Sequence, residues 1–251
     1  MSYKELSISC IIPVYNEATN VKRVICESES LFEKLQVDYE IVIIESGSTD
    51  GTWEKINKII RNKEKIYAFH QDKREGMGSA LRLGYTKCHK DIVCHLESDS
   101  PFDITNFRRA IPILLENECV IGYRIGKKEH NYKWYYRHLS IRNMLLRLIF
   151  HVGYNLIIRI IFRIKIRDVN FSFKLFKREH IQKLHLISNG WFVDAEILLE
   201  SIRSGIFPIE MPVEYNDRMS GMSSVRISDP IYVLYEMFKY IKRRKKSNTG
   251  Q

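Results

Sequence analysis

Short apolar runs alternate with helix-forming segments through the first half of this chain, and that alternation limits the fold more than any other feature. The runs are SISCIIPV (7–14), YEIVII (39–44), IYAFH (66–70), residues 91–96 and CVIGYR (119–124). Continuous apolar runs of this length are typical of strands in a parallel sheet that is covered on both faces. Helical periodicity separates them, as at residues 17–35 and 104–116. The pattern predicts an α/β fold with a mostly parallel sheet flanked by helices.

Polar residues stand where several of these strands end. They are Asn16-Glu17, Glu45-Ser46, the loop 72–78 and the stretch Glu97–Asp99. Open α/β sheets bind ligands beyond the carboxyl ends of their strands, so we expect these clusters to meet at one edge of the sheet. Taken alone, Glu97 and Asp99 are either ordinary loop acids or ligands of a metal ion.

The net charge indicates the class of partner, and the cysteines indicate the redox compartment. The 251 residues carry a net charge of +10, which suits nucleic acid, anionic lipid or a phosphorylated substrate. No nucleic-acid-binding motif is present, so we expect no nucleic-acid partner. The five cysteines form no Cys-x-x-Cys pair, and the N-terminal residues 1–10 lack the apolar core of a signal peptide, so we expect reduced thiols in the cytosol. Cys88-His89 and Cys94-His95 lack the spacing of a structural zinc site.

The second half contains a basic segment without acids. Residues 130–167 hold no Asp or Glu, and their basic residues alternate with aromatic and aliphatic ones. Such a segment suits a membrane interface, and the alternative is a core helix with a solvated basic face. The basic tail Lys242–Lys246 follows the apolar stretch 230–241 and would add affinity for anionic lipid. No run reaches the roughly 20 apolar residues of a membrane-spanning helix.

Several motifs then agree in order and spacing with one family. They are IIPVYNE (11–17), ESGSTDGT (45–52), GMGSALRLGY (76–85), ESDSPFD (97–103), GYR (122–124), RDVNFSFKLFKRE (167–179), WFVDAEILLES (191–201) and MPVEYNDRMSGMSS (211–224). The chain resembles the family 2 glycosyltransferases with the GT-A fold. It is most similar to the polyprenyl-phosphate branch, typified by dolichyl-phosphate mannose and glucose synthases.

The resemblance implies a site for a nucleotide diphosphate sugar. The residues at matching positions are Pro13, Tyr15, Glu17, Glu45, Ser46, Gly76, Gly78, Glu97, Arg124, Ser224 and Arg226. Pro13, Tyr15 and Glu17 would line the base and ribose, and Arg124 would lie near the phosphates. The family usually has Asp-Asp where this chain has Glu45-Ser46, so the nucleobase stays open. The two glycines would let backbone approach the ligand beside a helix N-terminus.

The resemblance also assigns the metal and the chemistry. Glu97 and Asp99 fall at the family's Asp-x-Asp position and would hold Mg²⁺ or Mn²⁺, for which oxygen ligands are suited. Pro101 stands where some relatives have a third ligand. The catalytic candidates are Asp99, Asp194, Glu196 and Arg218. Asp194 and Glu196 would position the sugar, because a phosphate acceptor is already ionised and needs no strong base; the alternative is a helix N-terminus that favours acids.

These implications predict four segments and one function. The segments are a nucleotide-sugar-binding half (1–128), basic interfacial helices (129–166), an acceptor-binding half (167–226) and a C-terminal helix with a basic tail (227–251). The expected activity is inverting transfer of a hexose to polyprenyl or dolichyl phosphate, by a protein peripheral on the cytoplasmic face of a membrane. A separate membrane-anchor subunit is compatible with that reading. The alternatives are transfer to a soluble or glycan acceptor and a catalytically weak nucleotide-sugar-binding protein.

Overall fold

The structure is a computed structural model, and it describes residues 5–96, 103–125, 153–214 and 229–248. Its strands are β1 (Ser7–Val14), β2 (Asp38–Ser46), β3 (Ile66–Gln71), β4 (Ile92–His95), β5 (Cys119–Ile125), β6 (Lys174–Lys177) and β7 (Ile209–Glu214). Its helices are α1 (Val21–Leu35), α2 (Thr52–Ile60), α3 (Met77–Lys87), α4 (Ile104–Glu116), α5 (153–162), α6 (Arg178–Lys183), α7 (Val193–Arg203) and α8 (Asp229–Asn248).

One seven-stranded sheet contains strands from both the first and the second half of the sequence. Its strand order is β3-β2-β1-β4-β6-β5-β7. β6 is antiparallel to both of its neighbours, and the other pairs are parallel. The predicted α/β fold with a mostly parallel sheet is therefore confirmed, and the five strands predicted in the first half are present. β6 and β7 were not predicted, because each is short and takes its place through partners far away in the chain.

The sheet is covered on both faces, as its continuous apolar strands predict. On one face Phe32, Phe107 and Phe173 form edge-to-face contacts, with ring centroids 5.8 and 5.3 Å apart. On the other face the core includes Tyr85 of α3, Phe192 directly before α7 and Tyr240 of α8. Neighbouring β1 residues divide between these two cores, so β1 is buried on both faces of the sheet.

The first helix is shorter than predicted at its N-terminus. It begins at Val21 instead of residue 17, because the preceding turn is fastened to the loop after β2. Asn16 adopts a left-handed φ of 53°; its N–H donates to Ser48 Oγ (2.8 Å), and its Oδ1 accepts from the Thr49 N–H (3.0 Å). Asn16 therefore joins two loops and does not cap α1.

Two helices of the second half leave apolar faces exposed. α8 packs Val233, Met237 and Tyr240 against the body, and Phe162 at the end of α5 lies 5.8 Å from the Tyr240 ring. The opposite face of α8 exposes Ile231, Leu234, Tyr235 and Phe238, and α5 exposes Leu156, Ile157, Ile160 and Ile161. In the parts of the chain that the structure describes, no helix combines the length and the apolar content needed to span a membrane.

Candidate active site

The carboxyl ends of β1, β2, β3 and β4 meet at one edge of the sheet, because these strands are parallel neighbours. The register places Glu45 of β2 beside His70 of β3, and Ser46 beside Gln71. β4 continues past its last ladder pair, since the Leu96 N–H donates to the Ile11 carbonyl (2.9 Å). The polar clusters that follow these strands in the sequence therefore start from a common edge.

Glu45 is fully buried at this edge and has two partners. Its carboxylate accepts from the Ser48 N–H (2.6 Å) and faces His70 Nδ1 (2.5 Å). The Trp53 ring lies 5.0 Å from the His70 ring. Glu45 thus shapes the turn after β2, and its contact with a nucleotide stays a prediction.

Ser46 begins a hydrogen-bonded chain along the edge. Its Oγ donates to Gln71 Oε1 (2.7 Å), and Gln71 Nε2 donates to Ser79 Oγ (3.0 Å). Ser79 in turn donates to Glu75 Oε2 (2.8 Å). This chain links the ends of β2 and β3 to the first turn of α3, and Gln71 is a member that the sequence analysis did not single out.

The residues after β1 lie at the same edge. Tyr15 is half-buried, and the Arg74 guanidinium lies 4.3 Å from the centre of its ring, within cation–π distance. Pro13 pairs with Ile44 across the β1–β2 ladder. Glu17 accepts from Asn20 Nδ2 (2.8 Å). The arrangement offers an aromatic ring with a cation stacked on it, beside a carboxylate.

The glycines before α3 have a packing role. A Cβ on Gly76 would lie 2.3 Å from the Asn189 carbonyl oxygen, and one on Gly78 would lie 2.2 Å from that of Ser188. The Asn189 carbonyl also accepts from the N–H groups of Gly78 (2.7 Å) and Ser79 (3.3 Å). Glycine is thus required by the close approach of residues 188–189, and two amides at the start of α3 already have a protein acceptor. A further contact of these glycines with the nucleotide stays a prediction.

Glu196 is fully buried in the first turn of α7 and holds a neighbouring loop. Its carboxylate accepts from the backbone N–H groups of Ile187 (2.9 and 3.1 Å) and Ser188 (2.8 Å). Two backbone donors therefore occupy it, so Glu196 holds the backbone of Ile187 and Ser188, and its positioning of the sugar stays a prediction.

Asp194 forms a buried ion pair that the sequence analysis missed. Its Oδ1 lies 2.6 Å from Lys174 Nζ, which also donates to the Phe171 carbonyl (2.5 Å), and both charged residues are almost fully buried. His95 Nε2 lies 3.9 Å from the same carboxylate. Burial lowers the pKa of His95 to about 4, although the Asp194 charge opposes this shift, so the ring is neutral near pH 7. A lysine among the apolar residues of FSFKLF was the available signal.

Arg124 has a carboxylate partner. Its Nε and Nη2 donate to the two oxygens of Asp168, at 2.7 and 3.0 Å, in the bidentate geometry that guanidinium favours. The Arg124 side chain keeps 28% of its surface exposed. Asp168 therefore orients the arginine predicted to lie near the phosphates.

The predicted metal ligands Glu97 and Asp99 lie outside the described residues, as do Arg218, Ser224 and Arg226. Within the ranges that the structure does describe, no group of three His, Cys, Asp or Glu residues could hold a metal ion. Cys88 and Cys94 are buried free thiols, and burial raises the pKa of Cys88 to about 12. Two carboxylates directly after β4 are ligands of the right chemistry for a hard divalent cation.

Solved structures of two other enzymes share this fold. Mannosyl-3-phosphoglycerate synthase from Rubrobacter xylanophilus superposes with a TM-score of 0.63 and 14% identity, over 98% of this chain and 76% of that one. Glucosyl-3-phosphoglycerate synthase from Mycobacterium tuberculosis, solved with Mn²⁺, UDP and glucosyl-3-phosphoglycerate, gives a TM-score of 0.54 and 18% identity, over 85% and 73%.

The sequence relatives include two enzymes named as dolichyl-phosphate or dolichol-phosphate sugar transferases. The chain is 26% identical to glycosyltransferase AglD of Haloferax volcanii, over 85% of this chain and 34% of AglD. It is 27% identical to the dolichyl-phosphate beta-glucosyltransferase of Saccharomyces cerevisiae, over 85% and 68%, and 26% identical to the dolichol-phosphate mannosyltransferase of Pyrococcus furiosus, over 94% and 64%. It thus spans about a third of AglD and about two thirds of the other two.

The family profile described as Glycosyl transferase family 2 matches residues 9–185. That range runs from β1 through α6 and includes the whole edge described above, from Pro13 to Arg124. The chain belongs to glycosyl transferase family 2.

Proposed function

We propose that this chain is an inverting, metal-dependent glycosyltransferase that moves one hexose from a nucleotide diphosphate sugar to a polyprenyl or dolichyl phosphate at a membrane surface. Family membership and the names of the relatives support the reaction class. Glucose and mannose are both represented among those relatives, and Ser46 leaves the nucleobase open.

The donor would bind at the carboxyl edge of β1–β4. Pro13, Tyr15 and Glu17 would contact the base and ribose, next to the turn that Glu45 shapes. Arg124, oriented by Asp168, would face the phosphates, with Arg218, Ser224 and Arg226 as further contacts. Arginine suits this role, since its planar fork matches phosphate oxygens.

Glu97 and Asp99 would hold Mg²⁺ or Mn²⁺. When bound, such an ion offsets the negative charge that develops on the leaving diphosphate. The chain itself supplies position: β4, which precedes both acids in the sequence, ends at the edge of the sheet where the donor would lie. Orientation of this kind accounts for much of the rate of a single in-line displacement.

One observation carries the choice of a phosphate acceptor: both candidate bases are buried and already engaged. Asp194 is paired with Lys174, and Glu196 accepts two backbone N–H groups. A hydroxyl acceptor needs a group that takes up its proton, whereas a phosphate acceptor arrives ionised. These contacts suit Asp194 to holding Lys174 and suit Glu196 to holding the backbone of Ile187 and Ser188.

The exposed face of α8 would place the site at a lipid surface. Ile231, Leu234, Tyr235 and Phe238 form one stripe at helical spacing, and basic residues follow on the same helix at Lys239, Lys242 and Arg243. Apolar side chains beside cations match the boundary between acyl chains and anionic headgroups. We place the protein on the cytoplasmic face of the membrane, where a separate anchor subunit is compatible with this geometry.

The test is transfer of labelled sugar from a panel of nucleotide sugars to three acceptors: polyprenyl phosphate, the matching neutral polyprenol and a water-soluble glycan. Label in the phosphate alone is expected. Label in the soluble glycan would replace the proposal with the alternative acceptor, and nucleotide binding without label in any acceptor would indicate a binding protein.

A further inference from the structure

A buried carboxylate on α8 reaches the loop that supports α3. Glu236 is 5% exposed, and its Oε1 accepts from the N–H groups of Asn189 (2.6 Å) and Gly190 (2.8 Å). The Glu196 carboxylate likewise accepts from the N–H groups of Ile187 and Ser188. Four successive N–H groups of the 187–190 segment therefore end on two buried carboxylates. A Cβ on Gly190 would lie 2.8 Å from Glu236 Oε2, which shows how closely α8 approaches.

The carbonyl side of the same segment holds α3. The Asn189 carbonyl accepts from Gly78 and Ser79, and Arg82 donates to the Ser188 carbonyl and to Asn189 Oδ1 (2.6 Å). The 187–190 segment is thus fixed between α8 and the first turns of α3. The segment has little room to move independently, because glycines leave no space for a Cβ on either side: Gly76 and Gly78 at the start of α3 face the segment, and Gly190 of the segment faces α8.

The path continues to the proposed donor edge. Ser79 is bonded to Gln71, and Gln71 to Ser46 at the end of β2. A hydrogen-bonded connection therefore runs from Glu236 through residues 187–190 to Ser46. If this connection couples α8 to the donor edge, changes at α8 alter the affinity for the nucleotide, and that affinity is the quantity to measure.

The same helix carries the apolar stripe on its outer face. Ile231 is 73% exposed and Phe238 65% exposed, and both lie opposite the buried Glu236 side. Lys239 and Lys242, which are exposed on the same helix, favour an anionic lipid surface over an uncharged protein partner as the occupant of this face.

We propose that Glu236 is a positioning residue of the donor site, through which docking of α8 on an anionic lipid surface strengthens nucleotide binding. The inference rests on the proposed function. Docking orders α8 and with it the 187–190 segment, so that less ordering remains when the nucleotide binds. Coupling is reciprocal, and the nucleotide strengthens vesicle binding by the same factor.

The experiment measures binding of UDP and GDP with Mg²⁺ to the full chain, with and without vesicles of phosphatidylcholine and phosphatidylglycerol. We expect vesicles to tighten binding of one nucleotide about fivefold or more in the wild type. Glu236→Ala loses this increase, and Glu236→Gln, which keeps an acceptor for both N–H groups, retains most of it.

Tyr240→Phe is the matched control. It removes a buried hydrogen bond of α8, from Tyr240 to Glu200 Oε1 (2.6 Å), without touching residues 187–190. Retention of the vesicle effect in this variant is expected. If the vesicle effect is lost in both Tyr240→Phe and Glu236→Ala, the inference is overturned, because the loss would then reflect a general loosening of α8.

A wild-type measurement covers the case in which Glu236→Ala does not fold. Hydrogen exchange should slow together in the peptides that contain residues 187–190 and 76–79 when vesicles are added. Nucleotide binding that vesicles leave unchanged, or exchange that slows only in α8, would overturn the inference and leave the proposed function standing. Absence of nucleotide binding under all conditions would overturn both.

Discussion

The two ends of the chain use burial in opposite ways. Residues 5–96 bury their apolar strands on both faces, and Tyr67 is the one large hydrophobic side chain that this region exposes. The region from 153 to 248, within its described residues, encloses Lys174, Asp194 and Glu196 and exposes a row of apolar side chains on α8. The first region also buries carboxylates, Glu40 and Glu45, but exposes almost no large apolar side chain. The second encloses a lysine–aspartate pair and in addition exposes apolar surface, as a region that docks on a lipid surface would.

The largest expected effect comes from breaking the buried ion pair of the second region. Lys174→Met leaves the Asp194 carboxylate without its cation, and we expect a loss of about 3–5 kcal/mol in the free energy of unfolding. Urea unfolding measures it. Lys177→Met is the control, because the Lys177–Glu118 pair is more than a third exposed on both sides and should contribute about 0–1 kcal/mol. Equal losses would show that burial does not distinguish the two pairs.

A smaller loss is expected when Glu196 is shortened. Glu196→Ala leaves the N–H groups of Ile187 and Ser188 buried without their acceptor, which costs about 1–3 kcal/mol. The unfolding free energy is again the measurement. Glu179→Ala changes an exposed acid on α6 and should stay within about 0.5 kcal/mol of the wild type. A Glu196 variant as stable as this control would show that the Glu196 carboxylate does not hold the backbone of Ile187 and Ser188.

The exposed face of α8 is tested by vesicle binding. Phe238→Ala should weaken binding to anionic vesicles roughly tenfold to hundredfold, because burial of one large apolar side chain contributes about 1.5–3 kcal/mol. Phe207 lies outside α8 and is similarly exposed, at 70% against 65%, so Phe207→Ala is a matched control. Equal weakening by both substitutions would indicate general surface stickiness and not docking through α8.

The smallest effect is a pH dependence in the second region. Burial lowers the pKa of His180, whose Nε2 lies 2.8 Å from Ser201 Oγ, although Glu118 opposes the shift and Lys183 adds to it. Because the folded-state pKa is depressed, the native state favours the neutral ring. Its contribution to stability is present above the unfolded pKa of about 6.5 and is lost as the pH falls through the folded value.

The wild type should therefore lose more unfolding free energy than His180→Gln between about pH 7.5 and about pH 5. Chemical denaturation at both pH values measures the difference. Identical pH profiles would show that burial of this ring is not linked to stability.

The first region was predictable because its signals are local. Each of its strands is an apolar run bounded by polar residues, and the sequence predicts β1 over the same residues that the structure gives it. Gly76 and Gly78 were recognised as a place of close approach, although the group that approaches is the backbone of residues 188–189.

The second region was less predictable because its partners lie far apart in the chain. β6 has four residues and gains its position from Val93 and Cys119, which pair with Phe176 from either side. The contacts of Lys174 with Asp194 and of Glu236 with Asn189 join residues 20 and 47 positions apart, and no periodicity marks them. The lone acid in the apolar stretch 230–241 was a signal that pattern analysis could have used.

The central claim is that the acids after β4 support sugar transfer from a nucleotide donor. The most direct measurement is transfer of labelled hexose to polyprenyl phosphate by the wild type, Asp99→Asn and Asp103→Asn, with Mg²⁺, with Mn²⁺ and with chelator. Asp103 is the matched acid of the same loop; its carboxylate caps α4 by accepting from the Thr105 N–H (2.8 Å), which asparagine can also do. We expect metal-dependent labelling that Asp99→Asn abolishes and Asp103→Asn keeps. Labelling that survives chelation, or that the Asp99 variant retains, would contradict it.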